Sequence, residues 1–222
     1  MGYGIGEEEL AERMLDLQDQ GCHNINLVSP TQVAARILET LKIARERGLK
    51  IPVVYNTNGY DSVEMLRRFE GLIDIYLPDI KYSSDEKAFK YSGVKNYVKR
   101  NRAAITEMAR QVGNLQLDEK GVAKRGIIVR HLVLPEDIAG SYESLKFLAS
   151  LSKDIWISVM AQYHPCYKAG QYPELNRRIN SAEYEKVLGW IAELGLRNVL
   201  TQELDSSDIF MPDFKQKDPF RP

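Results

Sequence analysis

Asp79 and Lys81 stand two residues apart at the end of the apolar run Ile73 to Ile80. That spacing puts a carboxylate and an ammonium on the same side of an extended chain. Charges in such a run are costly to bury without a partner or a purpose, so the pair is either a structural ion pair or part of a binding site. Arg130 interrupts a second apolar run that continues through Leu134, and a guanidinium there calls for an anion, a neighbouring Asp or a carboxylate ligand. His164 follows Gln162-Tyr163 at a third such end. Asn56-Thr57-Asn58-Gly59 reads first as turn chemistry and second as a binding loop, and Ser29-Pro30-Thr31 closes a further short strand. Cys22 and Cys166 fit no zinc, disulfide or redox spacing and read as inert thiols. His164 with Cys166 offers two ligands, too few for a metal site, so none is expected within the chain. His23 and His131 are assigned structural roles. Gly2, Gly4 and Gly6 follow no strand and are not a dinucleotide fingerprint.

The elements that must position these groups alternate. Leu10, Met14 and Leu17 mark a helix face ended by Gly21, and Asn24 to Val28 a strand. Val33, Ile37, Leu41 and Ala44 mark the next helix, and Pro52 to Tyr55 the next strand. Asp61 with Glu64 reads as a capping box for a helix through Glu70. Ile73–Ile80, Gly126–Leu134, Ile155–Ala161 and Asn198–Thr201 read as strands, and Lys95–Val112, Ser141–Leu151 and Ser181–Leu194 as helices. About six strands separated by helices predict parallel βαβ units. In such sheets ligands bind at the C-terminal strand ends, where the chemistry-bearing residues fall.

The 222 residues carry 30 basic and 31 acidic side chains, a net charge of −1. That balance excludes a general polyanion binder, so no nucleic-acid partner is expected. No apolar run approaches the ~20 residues of a membrane span, and the first residues lack a secretory pattern. A cytoplasmic protein is expected, with no membrane partner. No composition shift marks a domain boundary. One domain over 1–204 and a C-terminal tail over 205–222 are expected.

Taken in order, these strand ends resemble the radical S-adenosylmethionine superfamily, in particular its pyruvate formate-lyase activating enzyme-like branch. The segments are "GCHNINLVSPT", "VVYNTNG", "YLPDIKY", "IIVRHLVLP" and "MAQYHP". The resemblance implies a partial (β/α)6 TIM-like parallel barrel, α/β in class, lacking the first strand and cluster loop. It implies S-adenosylmethionine as cofactor, contacted by Ser29, Thr31, Asn56, Thr57, Asn58, Asp79, Lys81, Arg130 and His164. Ser29-Pro30-Thr31 stands where most of the superfamily has Gly-Gly-Glu. The defining Cys-x-x-x-Cys-x-x-Cys loop for a 4Fe–4S cluster is absent, and its cysteines are expected upstream of Met1, in a longer form of the protein.

Three functions are therefore carried forward. The leading one is the core of a glycyl-radical-activating-type iron–sulfur enzyme, forming a 5′-deoxyadenosyl radical that abstracts hydrogen from a protein or small substrate. As given, without the cysteines, the chain is expected to be inactive. The second is a Schiff-base, aldolase-like barrel enzyme using Lys81. The third is a non-catalytic binding module. A barrel lacking its first strand exposes an edge, so a dimer through that strand is expected.

Overall fold

A computed structural model describes residues 4–204. The expected tail, 205–222, lies outside the described residues. The elements in chain order are α1 (Glu7–Asp19), β1 (Ile25–Val28), α2 (Ala34–Glu46), β2 (Val53–Thr57), α3 (Val63–Arg68), β3 (Ile75–Pro78) and α4 (Asp85–Ser92). They continue with α5 (Tyr97–Val112), β4 (Gln116–Leu117), β5 (Ala123–Leu132), α6 (Ser141–Leu151), β6 (Trp156–Met160), α7 (Ser181–Glu193) and β7 (Asn198–Leu200). The α/β class, with parallel strands alternating with helices as in a partial (β/α) barrel, is what the sequence predicts. The short α4 and β4 are additions to that reading.

The described chain divides into two compact units that interleave in sequence. The first comprises 4–79 and 99–129, the second 80–98 and 130–204. Two of the crossings fall inside regular elements, at 98/99 in α5 and 129/130 in β5. A boundary inside a helix or a strand leaves no linker composition to read.

In the first unit β1, β2, β3 and β5 are parallel neighbours in that order, and β4 pairs antiparallel with β5. Register places Leu27, Tyr55, Tyr76 and Ile127 in one row across the four strands. This row lies under helices: Tyr55 stacks edge-on with Phe69 at 5.4 Å, and Tyr76 Oη donates to Gln111 Oε1 of α5 at 2.8 Å. Tyr55, Tyr76 and Ile127 are at most 1% exposed. Such large buried side chains each contribute roughly 1.5–3 kcal/mol relative to solvent exposure. The next row, Val28, Asn56 and Leu77, points to the opposite face and is open, with Val28 68% exposed. Beneath the covered row, Asp74 accepts from Arg45 at 2.5 Å and from the Val53 backbone at 2.8 Å, tying α2 and β2 to the entry of β3.

In the second unit β6 and β7 are parallel, with Trp156, Ile157 and Ser158 opposite Asn198, Val199 and Leu200. Helix α7 opens with a full capping box of Asn180 and Glu183, and Arg177 grips Glu183 at 2.7 Å. The end of β5 alternates: His131 and Val133 are buried, Arg130 and Leu132 half-buried. His131 does have the structural role assigned from sequence. Its Nδ1 lies 2.8 Å from Ile80 O and its Nε2 2.9 Å from Ser141 Oγ. A carbonyl can only accept, so Nδ1 is the donor in the first of these contacts.

Two local expectations are corrected. Asn56 and Thr57 belong to β2 rather than to a turn, because their carbonyls accept from Ser29 N at 2.8 Å and Asp79 N at 3.0 Å, which extends the pairing on both sides. The turn starts at Asn58, whose Oδ1 accepts from Tyr60 N at 2.9 Å. Helix α3 is capped by Ser62, which accepts from Met65 N, and not by Asp61. Asp61 is buried elsewhere, as described below. Among the described residues no helix is long and apolar enough to cross a membrane.

Candidate functional site

The strand ends of the first unit hold Ser29, Thr31, Asn56, Thr57, Asn58 and Asp79, and the structure sorts them into three settings. Asn56 and Asp79 are half-buried, and Asn56 lies in the open row beside Val28 and Leu77. Thr57 has the opposite parity and is buried. Its Oγ1 donates to Asp61 Oδ2 at 2.6 Å, while Thr31 Oγ1 and Tyr55 Oη donate to Asp61 Oδ1 at 2.7 and 3.2 Å. Three hydroxyl donors compensate a carboxylate that is only 6% exposed. Burial, and then the charge of Asp61, push the Tyr55 hydroxyl well above its ordinary pKa, so it stays protonated as a donor. Ser29 and Asn58 are exposed at the rim. Ser29 takes a left-handed backbone at φ 53°, a conformation uncommon outside glycine, before Pro30 starts a 3-10 turn.

Two residues outside the predicted site set, Asp61 (read as a cap) and Asn101, hold these ends in place. Asp61 joins the β1 exit, through Thr31, to the end of β2. Asn101 of α5 donates from Nδ2 to Gly59 O at 3.0 Å and to Asp79 O at 2.9 Å, and its Oδ1 is buried without a partner. Gly59, at φ +76°, must be glycine here, since a Cβ would lie 2.2 Å from Asp79 O. The signal for Asn101 was a polar residue on the buried stripe of a predicted helix, beside Ala104, Ile105 and Met108.

The second unit holds Lys81, Arg130 and His164, all half-buried. The Lys81 backbone N–H donates to Tyr97 Oη at 2.8 Å, and Ile80 N donates to Arg130 O at 2.9 Å. These bonds fix both main chains where the side chains leave the sheet. Arg130 shares the half-buried parity of β5 with Leu132. His164 Nδ1 lies 3.0 Å from Pro165 O, a carbonyl that can only accept, so Nδ1 is the donor. Gln162, at the same exit, is held by Gln202 Nε2 at 2.9 Å. Cys22 is half-buried and Cys166 exposed. Among the described residues no group of three His, Cys, Asp or Glu side chains is placed to hold a metal ion.

No protein-family model matches the chain. It is 36% identical over 171 residues to the uncharacterized protein MJ0674 of Methanocaldococcus jannaschii, an alignment covering 74% of this chain and 45% of that protein. The chain thus spans about half the length of the curated relative it matches. Among solved structures it is similar to a domain of pyruvate-formate lyase-activating enzyme from Bacteroides vulgatus. That match has a TM-score of 0.54 and 14% identity, over 81% of this chain and 98% of that domain. It is also similar to HydG, a maturase of the FeFe-hydrogenase, with a TM-score of 0.54 and 12% identity, over 90% of this chain and 46% of that one. At these identities the likeness is one of fold, and at that level the expected resemblance to the activating enzyme holds.

Proposed function

We propose that the chain is the cofactor-binding core of a radical S-adenosylmethionine enzyme of the glycyl-radical-activating type, acting on a protein or small substrate. The single observation that carries this reading is that each unit has half-buried polar side chains at its strand ends: Asn56 and Asp79 in the first, and Lys81, Arg130 and His164 in the second. The donor chemistry fits the cofactor. A guanidinium and an ammonium suit its carboxylate. A carboxylate, an amide and an imidazole suit its amino group, ribose hydroxyls and adenine. When bound, the sulfonium cofactor would supply the chemistry of hydrogen-atom abstraction, with the electron coming from a cluster that this chain does not itself hold. The protein's part is to bind, orient and exclude water. Thr31, Thr57 and Asn101 act behind the contacts, holding the strand ends that present them.

The chain's own residues do not fit the 4Fe–4S cluster. Cys22 and Cys166 are its two cysteines and stand far apart in sequence, whereas the cluster needs closely spaced thiolates. The chain by itself is therefore expected to bind the cofactor weakly and not to turn over. Titration calorimetry with S-adenosylmethionine tests the reading. Binding that weakens about tenfold in Arg130→Ala, a loss of about 1.4 kcal/mol, supports it. The absence of any binding to the wild-type chain overturns it.

A second reading keeps one observation of its own: Lys81 lines a cavity walled by tyrosine rings, a setting in which a lysine amine can attack a carbonyl. Borohydride trapping with a carbonyl compound decides it, since no adduct at Lys81 removes the Schiff-base alternative. The open edge of β1 is further proposed as a dimer contact, and a monomer by light scattering would contradict that.

A further inference from the structure

The chain between β6 and α7, residues 161–180, forms an arm with 3-10 turns at Ala169–Gln171 and Pro173–Leu175. It is fastened to α4 of the same unit. Lys90 Nζ and Tyr91 Oη both reach Glu174 Oε1, at 2.8 and 2.6 Å, and Tyr172 Oη donates to Lys90 O at 3.1 Å. The Tyr91 and Tyr172 rings meet edge to face at 5.1 Å. Lys90 holds the Glu174 carboxyl down to about 2, so this clasp stays charged across the physiological range.

Behind the arm is a cavity of about 250 Å³. Its walls carry five tyrosines, and four of their hydroxyls are already committed. Tyr82 pairs with Ser92 Oγ at 2.9 Å and Tyr163 donates to Leu175 O at 2.8 Å, while Tyr91 and Tyr172 are held as above. What these walls offer a ligand is ring face rather than hydroxyl. Lys81 and Lys168 are the charged residues of the lining, and no Asp or Glu lines it. Ring faces select a planar π-system, two ammonium groups select an anion, and the volume limits the guest to about one ring. Tyr167 stands at the rim, 91% exposed and at φ 51°, a strained backbone for a bulky residue.

We propose that this cavity binds a small planar aromatic carboxylate, its ring against the tyrosine faces and its carboxylate toward Lys168. The inference deepens the functional reading by choosing a small substrate over a protein one. It rests on that reading for the reaction but not for the binding.

Calorimetric titration of the full chain with benzoate tests it, with cyclohexanecarboxylate as the non-planar control of equal charge. Benzoate binding is expected to be about tenfold tighter than that of the control, equivalent to about 1.4 kcal/mol of lost ring stacking. Lys168→Ala and Tyr167→Ala, both at exposed positions outside the cofactor-holding set, should each weaken benzoate severalfold. Equal binding of the two acids, no binding of benzoate, or indifference to both substitutions overturns the proposal. Added S-adenosylmethionine separates the two readings. Simultaneous binding supports both. Displacement of benzoate makes the cavity an end of the cofactor site and overturns the proposal. Benzoate binding without any cofactor binding leaves the proposal standing and removes the cofactor reading.

Discussion

The two faces of the first unit's sheet are built from the same strands and do opposite work. On the covered face, Leu27, Tyr55, Tyr76 and Ile127 form an unbroken row, and the hydroxyls there are answered. Tyr76 is answered by Gln111, while Tyr55 and Thr57 are answered by Asp61. One residue further along each strand, the other face presents Val28, which is exposed, and Asn56 and Leu77, which are half-buried. A single step of register thus separates side chains buried under the fold from side chains that are only partly covered. Polarity alone does not tell them apart: Asn56 and Thr57 are adjacent polar residues with opposite assignments.

Substitutions can break this contrast in graded steps. Phe69→Ala empties the space beneath Tyr55, where Phe69 is 0% exposed, and should cost about 3–5 kcal/mol in urea denaturation. Asp61→Ala strands the hydroxyls of Thr31, Thr57 and Tyr55 and should cost about 2–3 kcal/mol, with Asp61→Asn losing less because one acceptor oxygen remains. If both Asp61 variants melt like wild type, the covered face does not depend on that network.

Acid is a gentler probe of the covered side. Arg110, and then Gln111, hold the Glu107 carboxyl down to about 2 against an ordinary 4.5. A depressed folded-state value means its stabilisation is full above pH 4.5 and drains away as pH falls toward about 2. Denaturation midpoints should therefore fall across that window, and Glu107→Gln should flatten the fall. The smallest expected effect is on the open face: Asn56→Ala should change stability by less than about 0.5 kcal/mol while weakening S-adenosylmethionine binding. A large loss of stability there would erase the distinction between the faces.

The alternation of strands and helices could be read directly, since buried parallel strands are apolar runs and amphipathic helices repeat at 3.6 residues. Ser141–Leu151 was legible to the residue. Helix α4 was not: Asp85 to Ser92 buries only Ala88, so it has almost no apolar stripe to detect. Asp79, Lys81 and Arg130 were visible because charge breaks an apolar run. Asp61 was hidden for the opposite reason. In sequence it stands two residues before a helix with Glu64 following, the pattern of a cap, and only the fold brings Thr31 and Thr57 to it. The tyrosine cavity was equally invisible, because its walls come from the β3 exit, α4, β5 and the arm after β6, which have no common spacing.

The interleaving of the two units bears on how the chain is made and cut. The first unit needs 99–129 to be complete, and the second takes 80–98 from between the first unit's two pieces. During synthesis neither unit can finish folding until well past the middle of the chain has emerged, and by then the early half of the first has long been waiting. No single cut liberates either unit whole. A deletion library or a split-protein reassembly would therefore find no permissive break at 79/80 or at 98/99, although compact structure lies on both sides of each.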